Sequence, residues 1–248
     1  MDALILSAYL LSTGAADAQQ DPVYNLAEDP WVSQDRLVVG VFRHAEVGLD
    51  ERTQLDFTGL SSLPSPDLAV ERQLWTNESM AASVSGGLSV PTYGLRLMQG
   101  LPLTTDEFIP WVAIVSAGGS VGWRNDKLAL SAGLVARYGQ RFQQTPAGMN
   151  DFTYTELPWL DPMLTPIIDR YSVAGLVGAS WTPGDRWQVD LDGRVVVPAG
   201  PDLNLRLMAW RGLGERSALG FGAVGAREVG EGGPMLRAAP RLDWQISL

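Results

Sequence analysis

Residues Arg186 to Val197, RWQVDLDGRVVV, place Trp187, Val189, Leu191, Gly193, Val195 and Val197 on one side of an extended chain. Gln188, Asp190, Asp192 and Arg194 fall on the other. Successive side chains of a strand point to opposite faces, so the segment predicts a ribbon with an oily face and a charged face. The same alternation recurs along the chain. Met80 to Val90, Leu95 to Leu103, Ile109 to Trp123, Leu128 to Tyr138 and Tyr171 to Trp181 repeat it, as do Leu203 to Ala209, Leu219 to Ala223 and Leu236 to Leu248. Asp35 to His44 and Thr53 to Gly59 are weaker examples. Leu60 to Asn77, with Pro64 and Pro66, reads mainly as a loop. Pro240 predicts a bulge or break in the last strand, because it lacks a ladder donor.

Tight connections are expected at 91–94, 124–127, 182–185 and 212–215. Long ones are expected at 61–78, 143–168 and 227–235, with shorter ones at 104–108 and 198–201. Gln143 to Ile168 mixes acids, prolines and aromatics and reads as a surface loop, with an inward constriction, a cap on the mouth or a site for an extracellular partner as alternatives.

A water-soluble barrel or sandwich also has one oily face, so alternation alone does not separate the two environments. Four features point to lipid. The strands run roughly 10–14 residues, whereas about 5–6 is usual in soluble sheets and about 9–11 tilted residues cross a bilayer. The oily faces are almost free of charge, as expected where a central Arg or Lys costs about 2–4 kcal/mol. Tyr93, Trp123, Trp181, Trp187 and Trp210 lie at strand ends beside turns, and Trp244 lies on the last strand; together they form a candidate interfacial girdle. Short and long connections alternate, which gives the barrel two unlike ends.

In these features the chain resembles bacterial outer-membrane β-barrel proteins, over roughly Asp35 to Leu248. The resemblance implies an all-β fold: a closed, antiparallel, up-and-down transmembrane barrel. It also implies outer-membrane lipid and the barrel assembly machinery as partners. The final RLDWQISL is similar to the family's C-terminal signal in its alternation, but it ends in Leu248 where Phe or Trp is usual. Eleven strands can be counted, and an even number is expected. Twelve is favoured, with ten as the alternative.

The start of the chain agrees with that location. Ala3 to Leu11 is an apolar stretch of signal-core length and Ala16-Asp17-Ala18 is a cleavage pattern, although no Lys or Arg precedes the core. Residues 1–18 are therefore expected to be a signal peptide, 19–34 a periplasmic segment or weak first strand, and 35–248 the barrel. The formal net charge of −10 argues against nucleic acid as a partner. With no cysteine in the chain, thiolate metal sites, disulfides and cysteine nucleophiles are excluded.

The polar faces carry the candidate chemistry. Arg96, Arg137, Arg141, Arg170, Arg194, Arg206, Arg237 and Arg241, with Asp190, Asp192 and Asp243, are expected to line the lumen. An arginine excess of this kind suits anionic or small polar solutes. The alternative is an Arg–carboxylate network that fills the barrel, since buried charges must be paired. His44 is the only histidine, and no G-x-S-x-G elbow accompanies it, so a lipid hydrolase is the least favoured reading. No catalytic residue, metal site or cofactor is expected. The functional expectation is a narrow channel or uptake barrel, with a plugged, partner-binding barrel as the alternative.

Overall fold

The fold is taken from a computed structural model of the chain. It describes residues 37–40, 45–57, 66–90, 92–93, 110–144, 171–184, 186–197, 202–213, 217–230 and 233–247. The expected signal peptide, the 19–34 segment, His44, Arg96, Arg170, Leu248, the run 95–103 and nearly all of loop 143–168 lie outside the described residues.

The described residues are almost entirely strand. In chain order the strands are β1 (Leu37–Gly40), β2 (Ala45–Asp50), β3 (Thr53–Phe57), β4 (Asp67–Thr76), β5 (Met80–Ser89) and β6 (Val112–Arg124). They continue as β7 (Leu128–Arg141), β8 (Tyr171–Gly184), β9 (Trp187–Val197), β10 (Asp202–Gly212), β11 (Ser217–Gly230) and β12 (Gly233–Ser247). From β2 to β12 each strand pairs antiparallel with the next, giving one up-and-down sheet of eleven strands. The four-residue β1 pairs with β2 through Leu37↔Val47 and Val38↔Glu46, and with β12 through Val38↔Ser247 to Gly40↔Gln245.

The sheet is inverted relative to that of a water-soluble protein. Its apolar side is the exposed one: Leu134 is 64 % exposed, Val177 61 % and Leu242 62 %. Its polar side is buried, and Asp190 and Gln188 are each only 1 % exposed. Strand alternation explains the separation, because neighbouring residues of β9 fall by turns on the exposed and buried sides along its whole length. Small residues let the buried side pack closely. A methyl group on Gly222 would lie 2.8 Å from Met208 Sδ, and one on Gly220 would lie 2.6 Å from the Trp210 ring.

Four expectations change. Asp67–Thr76, read as loop, is strand β4. Leu68, Val70 and Leu74 alternate there as the other strands do, but Arg72 sits on their exposed side and blurs the pattern. β5 pairs directly with β6, so the run 95–103 does not separate them in the sheet. The expected long loop at 227–235 is mostly strand, since β11 and β12 stay in register out to Gly230↔Gly233. Pro240 causes no register shift and pairs in place with Ala223. Its other edge faces no partner strand among the described residues, because β1 reaches only Gln245 to Ser247, and an edge is where proline is tolerated.

All the long connections lie at one end of the sheet. The connections between β2 and β3, β4 and β5, β6 and β7, β8 and β9, and β10 and β11 are all short and share the opposite end. The long connections spanning 58–66, 90–111 and 142–170 share their end with the short ones at 198–201 and 231–232. The expected tight turn at 91–94 thus belongs to the long-connection end. The missed turn after β4 is closed by Asn77, whose Oδ1 accepts from the Ser79 and Met80 N–H groups at 3.0 and 2.7 Å.

Candidate functional site: the buried polar face

The candidate site is the buried face of the sheet, and alternation delivers each of its side chains. β9 contributes Gln188, Asp190, Asp192 and Arg194, and β10 contributes Asn204, Arg206, Met208 and Trp210. Register sets Asp192 beside Arg206 and Asp190 beside Met208. Arg206 Nε donates to Asp192 Oδ2 at 2.7 Å, and its terminal nitrogen lies 2.5 Å from the same oxygen. Gln188 Nε2 donates to Asp190 Oδ1 at 2.7 Å. On β12, Asp243 Oδ1 accepts from the Trp244 N–H at 2.8 Å. Charges removed from water need such partners, because an unpaired buried ion costs several kcal/mol (on the order of 3–5).

A second polar cluster lies on β3 to β6. Gln54 Nε2 donates to both Asp56 Oδ1, at 3.0 Å, and Glu71 Oε2, at 3.3 Å. Ser83 donates through its hydroxyl to Glu71 Oε1 and also meets the Ser120 hydroxyl at 2.8 Å. Glu46, on β2, is buried and in register with Asp56.

The structure assigns most of the sequence-derived lining residues to this face. Asp190, Asp192, Arg194, Arg206 and Asp243 are buried, and Arg137, Arg141 and Arg241 are half-buried on the same side. Arg237 stands in β12 opposite Ala226. The acids Glu46, Asp67 and Glu71 and the amide Gln73 were missed, while Gln188, Asn204 and Gln245 stood on polar faces in sequence without being named as lining residues. Gln54 and Asp56 already showed the right alternation in sequence. Glu71 and Gln73 were hidden by the loop reading of β4. With these acids included, the described buried face carries no arginine excess: Glu46, Asp56, Asp67, Glu71, Asp190, Asp192 and Asp243 stand against Arg124, Arg137, Arg141, Arg194, Arg206 and Arg241.

Five of the six candidate girdle aromatics are exposed. Tyr93, Trp123, Trp181, Trp187 and Trp244 are exposed on the apolar side. Trp187 meets the edge of Phe221 at 6.2 Å between ring centroids and carries the Arg211 guanidinium at 5.7 Å. Trp210 is the exception, at 2 % exposure, packed with Met208 and Ala218 on the buried side. Its register partner is Gln188, and it shares a face with Arg206 and Met208, so its even position decides against the girdle. Trp75 adds a residue that sequence reading missed, exposed at the short-turn end. Tyr138 and Tyr171, an exposed register pair, mark the opposite end with Phe142.

Among the described residues no three or more His, Asp or Glu side chains are grouped to hold a metal ion. No helix among them is long and apolar enough to cross a membrane, which says nothing about strands. No family model and no curated protein matches the chain.

Proposed function

We propose that this chain is a bacterial outer-membrane β-barrel that forms a narrow passage for small polar solutes and carries no chemistry of its own. One observation carries this reading: the sheet exposes its apolar side and buries its ionic side. In water that arrangement is unfavourable, because each large apolar side chain left exposed forgoes about 1.5–3 kcal/mol of burial. In hydrocarbon it is the stable one.

Dimensions support the same reading. Trp111, immediately before β6, and Trp123, near its end, are twelve residues apart with the same alternation. At ~3.3 Å per residue and a tilt of about 40°, they stand ~30 Å apart across the membrane, near the thickness of its hydrocarbon core. Tyr171 and Trp181 of β8, ten residues apart, give about 25 Å by the same conversion. Closure of the sheet belongs to this proposal. A bilayer offers no partner to an open edge, and β1 joins β12 to β2 in register. The end that carries the short turns would face the periplasm, and the end with 58–66, 90–111 and 142–170 the outside.

Reconstitution into a planar bilayer tests the passage. Folded protein should give stepwise conductance, and a silent bilayer would remove the channel. One observation favours a second reading, that of a plugged barrel: at the short-turn end Gln188, Met208, Trp210 and Gln245 are all 2 % exposed or less. Such a barrel would act through its long connections, and deleting part of 143–168 should then abolish partner binding without unfolding the protein.

A further inference from the structure

The charges of the buried face are sorted by strand. β2, β3 and β4 contribute Glu46, Asp56, Asp67 and Glu71, and no described residue of these strands brings a cation to that face. The arginines stand on β6, β7, β9, β10 and β12, where Asp190, Asp192 and Asp243 partly balance them. One register row connects the two regions. It runs from Arg137 on β7 through Ser116, Gly87 and Ala69 to Asp56 on β3, and on to Glu46. The stretch between Arg137 and Asp56 is built of small side chains. A methyl group on Gly87 would lie 2.8 Å from Ser116 Oγ and 3.1 Å from Ala69 Cβ, so the floor there is already tightly packed.

Two hydroxyls flank this strip with no hydrogen-bond partner among the described residues. Ser172 Oγ, in register with Arg137, belongs to a residue only 2 % exposed. Ser89 Oγ, in register with Asp67, belongs to a residue 7 % exposed. A buried hydroxyl left unpaired costs about 1–3 kcal/mol, so each is a group that a bound molecule can complete. One of these hydroxyls borders the cationic end of the strip and the other borders the acidic region.

We propose that the buried face takes a small zwitterion, with its anionic end toward Arg137 and Ser172 and its cationic end toward Asp56 and Glu46. The inference rests on the channel reading and adds the solute class to it. Four strand spacings of about 4.8 Å separate Arg137 from Asp56 along the sheet, ~19 Å measured at the backbone. Their side chains extend inward from the two ends and shorten that span. A dipeptide, at ~3.3–3.6 Å per residue, is of the size that remains. Opposite charges at the two ends favour a molecule with both signs over one with a single sign, because a single charge is repelled at one end.

Flux into proteoliposomes decides the matter, with four probes: diglycine, N-acetyl-diglycine, diglycinamide and arabinose. Wild-type protein should pass diglycine about tenfold faster than the acetylated anion or the amide cation. Arg137→Gln should bring diglycine to the rate of diglycinamide, and Asp56→Asn should bring it to that of the acetylated form. Arg137→Lys should keep the preference, and heat-modifiable migration in gels confirms that each variant is folded. Equal rates for the three peptide probes while arabinose still passes would overturn the zwitterion inference and leave the channel standing. If arabinose is excluded as well, the channel reading fails and takes this inference with it.

Discussion

Arg206 and Asp192 meet on the buried face of neighbouring strands, with Nε donating to Oδ2 at 2.7 Å. Their side chains are 7 % and 12 % exposed, so neither charge is well hydrated. Removing the arginine alone by Arg206→Met leaves Asp192 without this partner and should cost about 3–5 kcal/mol. Changing both, by Arg206→Met with Asp192→Leu, should cost less than the single change. Urea unfolding from lipid vesicles, followed by tryptophan fluorescence, compares the two. A single variant as stable as the double would mean that the pair is not a desolvated one.

The exposed apolar side yields a test of environment. Leu134 is 64 % exposed in mid-strand. In a bilayer, Leu134→Arg should cost about 2–4 kcal/mol. On a water-facing surface the same change should stay within about 0.5 kcal/mol. Folding free energies in phosphatidylcholine vesicles separate the two outcomes, and an unchanged value would count against lipid contact.

Tryptophan positions offer an optical check. Trp181 is 53 % exposed and Trp210 only 2 %. With brominated lipid as quencher, Trp181→Phe should reduce the quenched fraction of the emission. Trp210→Phe should remove only unquenched emission, raising the quenched fraction. Equal effects of the two variants would show that they share an environment.

Glycine substitutions should separate by position. A Cβ on Gly222 would lie 1.9 Å from the Leu207 carbonyl oxygen, a backbone atom that cannot swing aside. Gly222→Ala should therefore cost about 1–3 kcal/mol or more, as overpacking does. At Gly86 the nearest atom is 3.8 Å away, so Gly86→Ala should fall within about 0.5 kcal/mol of the wild type. Chemical denaturation of both variants under one set of conditions makes the comparison.

The legibility of the sequence followed the purity of its alternation. β7, β8 and β9 could be read because each keeps one side apolar, and Arg137, Asp190, Asp192 and Arg194 were placed with them. β4 could not, because Arg72 stands among Leu68, Val70 and Leu74, and two prolines precede it. Missing β4 hid Glu71, and with it the acidic region that balances the arginines. Trp210 was misplaced for a different reason. Its nearness to a turn suggested the membrane interface, while its position in the alternation, two residues on from Met208, already assigned it to the buried side. Where the two signals conflict, alternation prevails, because shifting one residue to the other face would carry the whole strand with it.

The shortest strand joins the most distant parts of the chain. Val38 meets Ser247 only after nearly every other strand is available to bridge them, whereas every other pairing links neighbours in sequence. Contacts that enclose so much chain form slowly. In the proposed closed barrel the β1–β12 junction should be the last to form, and its amides at Val38 to Gly40 should exchange with deuterium ahead of those in β7 and β8.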